Sequence, residues 1–179
     1  MQKEDFYDDF EDWEPDANLF NKEDWKGLLQ LREERARQHP EDLYAQQRYG
    51  AALVLNKKYS EAIDFLTPLY KVYYHDGFGI HEIMDALIGL GKTEKDFNWV
   101  TEPKICRLND ATLDLCTKAL KGKRKHIDIF NVYEKFLLDA DYIAFSEDEL
   151  AEFLLKYSEI FSFDGDISFP RFLTVKLKK

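Results

Sequence analysis

Between residues 24 and 100, apolar side chains recur every three to four positions in blocks that end at turn-forming residues. That spacing predicts helices over 24–38, 43–55, 59–73 and 80–90, with a short one over 94–100. In the first block Trp25, Leu28, Leu29 and Leu31 fall on the inner side, and Arg32, Glu33, Glu34, Arg35 and Arg37 point outward. Asp24 is placed to cap this helix, and Ser60 stands near the start of the third. Pro68 lies inside the third block and is expected to kink or shorten it, because proline lacks the N–H that the ladder needs.

From Asn109 the pattern changes. Asn109-Asp110 caps a helix whose apolar side is Leu113, Cys116 and Leu120, and a second helix is expected over 127–138. Residues 142–145 read as a short strand. Ser146-Glu147-Asp148-Glu149 is a capping box that opens another helix running to Leu155 or beyond. The end reads as a hairpin: 160–163, a turn at Asp164-Gly165, 167–169, then 172–177. Leu173, Val175 and Leu177 alternate with Phe172, Thr174 and Lys176, as a half-buried strand requires.

Two resemblances follow. In the segment 42–74, Tyr49-Gly50, Leu53, Lys58-Tyr59-Ser60-Glu61-Ala62 and Leu66 are similar to the tetratricopeptide pattern. A glycine at position 50 lets the first helix approach its partner, Ala62 does the same from the second, and Tyr59 fills the space beside the turn. Shifting the register by one repeat maps Tyr59 to Trp25 and Tyr74 to Pro40. Downstream, Ile83, Leu87 and Gly91 fall on the expected positions, and the match ends where Asp96 stands in place of Ala62. Residues 104–179 resemble a winged-helix domain, except that only Lys156-Tyr157-Ser158-Glu159 separates the capped helix from the hairpin. Either the capped helix serves as the recognition element or there is none. The expected fold is therefore mainly α: an arm over 1–23, tetratricopeptide-like hairpins over 24–103, and a small α+β region over 104–179.

Charge sharpens this division. The chain carries a net charge of −10, and most of it sits in the arm. Within the arm Phe6, Phe10 and Trp13 recur at i, i+4 and i+7 beside Asp8, Asp9, Glu11 and Asp12. One helical face is thus aromatic, and Pro15 is expected to end the helix. The arm reads as a cover for the first hairpin or as a docking peptide. Five cations, Lys118, Lys121, Lys123, Arg124 and Lys125, cluster before the second C-terminal helix. A run of this kind suits a solvated helix end, a phosphate or an acidic partner, including the arm itself. No stretch of 18 apolar residues, no signal-like N-terminus and only two cysteines predict a cytosolic chain that spans no membrane and has no disulfide framework.

Candidate chemistry is sparse. Cys106, Cys116 and His126 lack the paired spacing of a zinc site, and Cys116 reads as a core residue. Asp164-Gly165-Asp166 begins like a calcium loop, but Val175 stands where the closing glutamate belongs. Phosphate-binding glycine loops, nucleophile elbows and H-E-x-x-H are absent from the sequence. No catalytic residue, cofactor or metal is expected, and the chain is not read as an enzyme. The leading expectation is an interaction module that holds a peptide or protein, with Gln46, Tyr49, Leu53 and Asn56 lining the groove and Phe6, Phe10 and Trp13 contributing from the arm. A secretion chaperone, or an immunity-type protein masking a basic partner, fits the acidity as well. The alternative is a transcription regulator touching DNA through Lys121, Lys123, Arg124 and Lys125. Glu147, Asp148, Glu149 and Glu152 on the capped helix disfavour it, since phosphates repel them.

Overall fold

Side-chain caps set the helix starts. Asp24 accepts a hydrogen bond from the Gly27 N–H at 3.0 Å, and Asp42 accepts from the N–H groups of Tyr44 and Ala45. The helices they open run over Trp25–Gln38 (α2) and Leu43–Leu55 (α3). A computed structural model describes residues 13–178, with the Trp13 side chain outside the description. Among the described residues the protein is mainly α, with eight α-helices and a three-stranded antiparallel sheet near the C-terminus. The chain divides into two compact units between Thr101 and Glu102. No helix among the described residues is long and apolar enough to cross a membrane.

The first unit continues with α4 (Tyr59–Tyr73) and α5 (Ile80–Gly89), and it begins with α1 (Trp13–Asn21). Sequential helices pack on one another, and α3 also touches α5. Leu28, Leu53, Ala62, Leu66, Ile83 and Leu87 are fully buried at these contacts. The two glycines that matter act by close approach. A Cβ on Gly50 would sit 2.6 Å from Leu66 Cδ2, and one on Gly89 would sit 2.4 Å from the Tyr59 ring. Gly50 thus gives α4 room to approach α3, and the Tyr59 ring lies against α5.

Three details differ from expectation. Pro15 lies within α1, which runs on past it to Asn21, so it does not end that helix. Helix α4 runs its full expected length through Pro68, which is exposed. The helix expected over 94–100 is a single 3-10 turn, Glu94–Asp96. The Asp96 side chain accepts from the Thr93 N–H at 2.8 Å and closes the turn. The chain then extends, so that Phe97 and Trp99 pack edge-on against Tyr70, and the Tyr70 hydroxyl accepts from the Val100 N–H.

The second unit contains α6 (Asp110–Leu120), α7 (Ile129–Leu137) and α8 (Glu147–Leu155). Strands β1 (Ile105–Cys106) and β3 (Tyr142–Ile143) pair in parallel. Strands β2 (Ile127–Asp128), β4 (Phe161–Asp164) and β5 (Thr174–Leu177) form an antiparallel sheet in the order β2-β5-β4. Register is fixed by Phe161 opposite Leu177 and Ile127 opposite Val175. Helix α7 thus begins two residues later than the apolar spacing predicts, because Ile127 and Asp128 join the sheet. Residues 167–169 are not a strand. The Asp166 carboxylate accepts from the Ser168 N–H at 2.9 Å, and Pro170 starts a 3-10 turn, so the hairpin loop spans 165–173.

Leu120, Ile129, Val132, Leu150, Leu154, Phe161 and Val175 form the core of this unit. Cys116 joins it with no exposed surface, and burial pushes its thiol up to about 12. The thiolate is the reactive form. In the folded chain Cys116 is expected to resist iodoacetamide at pH 8 and to react at the rate of a free thiol once denatured. Mass spectrometry of the two alkylated forms measures this, and native labelling of Cys116 would contradict its burial.

Candidate functional site

Helix α3 has two faces, and the residues expected to bind a partner lie on the inner one. Gln46 is 6% exposed. Its amide donates to the Ala36 carbonyl at 2.8 Å and to the His39 carbonyl at 3.0 Å, satisfying the open C-terminal end of α2. Asn56 ties α3 back to the start of α2 by donating to the Trp25 and Ala52 carbonyls at 2.7 and 2.9 Å. Leu53 is core, and Tyr49 is half-buried with its ring 4.8 Å from Phe65 in a T-shaped contact. Gln46 and Leu53 are buried, Tyr49 and Asn56 are half-buried, and all four make contacts within the helical stack. The stripe that reads as the apolar side of a first helix is the stripe it spends on its own neighbours.

The open stripe is displaced by about one residue: Tyr44, Gln47, Arg48, Ala51 and Leu55, at i, i+3, i+4, i+7 and i+11. Each member has some exposure, and Tyr44 is 60% exposed. Flanking helices hold the stripe on both sides. The Gln47 amide donates to the Glu82 carboxylate of α5 at 3.1 Å. Arg48 donates to the Tyr44 hydroxyl at 2.7 Å, with its guanidinium 5.1 Å from that ring, and also pairs with Asp16 of α1. Helices α1, α3 and α5 are thereby linked by side chains along one face.

Asp16 is the keystone of that link, and sequence reading missed it. Its carboxylate is 1% exposed and takes the Arg32 Nε and Nη2 donors at 2.9 Å each, besides Arg48. Burial acts to raise its pKa, but the hydrogen bonds and charges of Arg32 and Arg48 outweigh it and hold the carboxyl below its ordinary value. Arg32, expected to point outward, is 7% exposed. Its burial was available in the sequence, since Leu28, Arg32 and Ala36 stand at i, i+4 and i+8 on one stripe. What hid it was the rule that charge faces water, which fails where a partner carboxylate is supplied.

Phe6 and Phe10 lie outside the described residues, as does the Trp13 side chain, whose backbone belongs to α1. Lys121, Lys123, Arg124 and Lys125 are all exposed in the connection from α6 to β2. At the other extreme of charge, α8 carries Glu147, Asp148 and Glu149 in its first turn, below the Ser146 capping box. Asp148 pairs with Arg171 at 3.1 Å and accepts from its backbone N–H at 3.0 Å, fixing the hairpin loop to this helix. Among the described residues no three His, Cys, Asp or Glu side chains converge as a metal site. No protein-family model, no curated protein and no solved structure matches the chain.

Proposed function

We propose that the protein is a non-catalytic binding module that holds a peptide or protein segment along the face shared by α1, α3 and α5. The observation that carries this is the open stripe on α3. Tyr44 stands exposed beside half-buried Gln47 and Ala51, and flanking charged side chains order its polar members. An exposed aromatic ring beside a half-buried stripe offers apolar contact to a bound segment. Placing the first helices of successive hairpins side by side is also what a tetratricopeptide-like array does. The α3–α5 contact and the Gly50–Leu66 approach support that kinship.

Selection of random peptides on the full chain tests the proposal. Enriched peptides are expected to lose about tenfold in affinity on Tyr44→Ala or Gln47→Lys, as a central interface contact does. Enriched peptides indifferent to both substitutions would overturn it.

DNA contact is the second reading, and it rests on connectivity. The order α6-β2-α7-α8-β4-β5 with sheet order β2-β5-β4 supports a winged-helix kinship, and it puts α8 directly before the hairpin, where a recognition helix stands. Yet Glu149 and Glu152 are exposed on α8, and the exposed cations sit in the α6–β2 connection instead. Gel shifts at low and physiological salt are therefore expected to show no retained duplex. Binding at low salt that weakens when Lys123, Arg124 and Lys125 become glutamate would restore DNA contact as the function.

A further inference from the structure

A groove of about 310 Å³ runs between α6 and α7. Its floor is Leu115, Ala119, Val132 and Phe136, and Lys118 and Lys135 stand on its rim. It continues into a recess of about 250 Å³ that shares Ala119, Val132 and Lys135 and adds Lys123. Leu115 is 39% exposed, so part of this apolar surface faces water. Lys118, Lys123 and Lys135 line the groove and its recess against Glu134 and Asp139, so the charged lining is net positive.

Such a surface fits an acidic segment with apolar anchors, and this chain carries one outside the described residues. Residues 1–12 contain six acids and one lysine, with Phe6 and Phe10 one helical turn apart. In helical form that segment is about 18 Å long, against about 16 Å for the eleven residues of α6 that wall the groove. We propose that the α6–α7 groove receives residues 1–12 of a second copy of this chain, Phe6 and Phe10 against its floor and Asp8, Asp9 and Glu11 toward Lys118 and Lys135. This surface is separate from the α3 stripe, so either proposal stands if the other fails.

Sedimentation velocity of the full chain, from micromolar to millimolar concentration and at two salt levels, tests it. The wild type is expected to self-associate, less so at high salt. Lys118→Glu with Lys135→Glu in one variant, and Asp8→Lys with Asp9→Lys in another, each weaken self-association by about tenfold. Mixing the two variants restores association, because each then offers the complementary charge. Lys118 and Lys135 are exposed, Asp8 and Asp9 lie outside the described residues, and circular dichroism checks that both variants fold. A wild type that stays monomeric throughout overturns the proposal, even if a synthetic peptide of residues 1–12 binds. So does association that ignores the charge reversals, or a mixture no better associated than its parts.

Discussion

Asp16→Asn is expected to destabilise the first unit by about 3–5 kcal/mol, the usual effect of removing one partner from a buried ion pair. The substitution keeps the shape of the side chain and its hydrogen-bonding oxygen but removes the negative charge that Arg32 and Arg48 share. The damage is specific to place. Helix α1 is fastened to α2 and α3 through this carboxylate, so hydrogen exchange is expected to accelerate most in residues 13–55 and least in 102–178. The effect also depends on pH in a defined direction. Asp16 has a folded pKa below its unfolded value, so the folded state resists protonation more than the unfolded chain does. Its contribution is present above the ordinary aspartate pKa of about 3.9 and is lost as pH falls through the lower, folded value. The stability gap between wild type and Asp16→Asn, measured by urea titration, should therefore be constant from pH 7 to 5 and close below pH 4. A gap that widens on acidification would contradict the assignment.

Phe161→Ala is expected to cost the second unit about 3–5 kcal/mol, lost transfer energy plus the cavity left behind. Phe161 has no exposed surface and begins β4, where it is paired with Leu177 and packed in the cluster of Leu150, Leu154 and Val175. It serves sheet register and core at once, so its loss should release the terminal hairpin. Phe161→Leu keeps most of the volume and is expected to lose roughly 1.5 kcal/mol or less. Thermal unfolding of both variants checks the ranking, and equal losses would mean that the site collapses around the cavity.

How much of this could be read in the sequence depends on what each residue answers to. Helices α3 and α4 were legible to the residue, because Asp42 caps, Gly50 and Ala62 pack, and Asn56-Lys57 turns within a few positions of one another. The capping box at Ser146 was equally local. What escaped was set by partners far along the chain. Ile127 and Asp128 look helical until Val175 and Thr174 offer them a strand. Strand β1 is two residues long and exists only because β3 lies beside it.

The candidate site escaped for a related reason. Periodicity finds the apolar side of a helix such as α3, and in a stacked array that side is buried between neighbours. Gln46 and Asn56 looked available because they are polar, whereas both are consumed by backbone carbonyls of the adjacent hairpin. The open stripe is the less apolar one, and only the neighbours α1 and α5 reveal which side it is.

The central claim is that this stripe holds a polypeptide segment. Amide chemical-shift mapping of the full chain, titrated with a peptide selected on it, tests that most directly. The account predicts that the largest shifts fall on Tyr44, Gln47, Arg48, Ala51 and Glu82, and that Gln47→Lys removes them while leaving the remaining spectrum in place. Shifts confined to residues 102–178, or unchanged by Gln47→Lys, would contradict it.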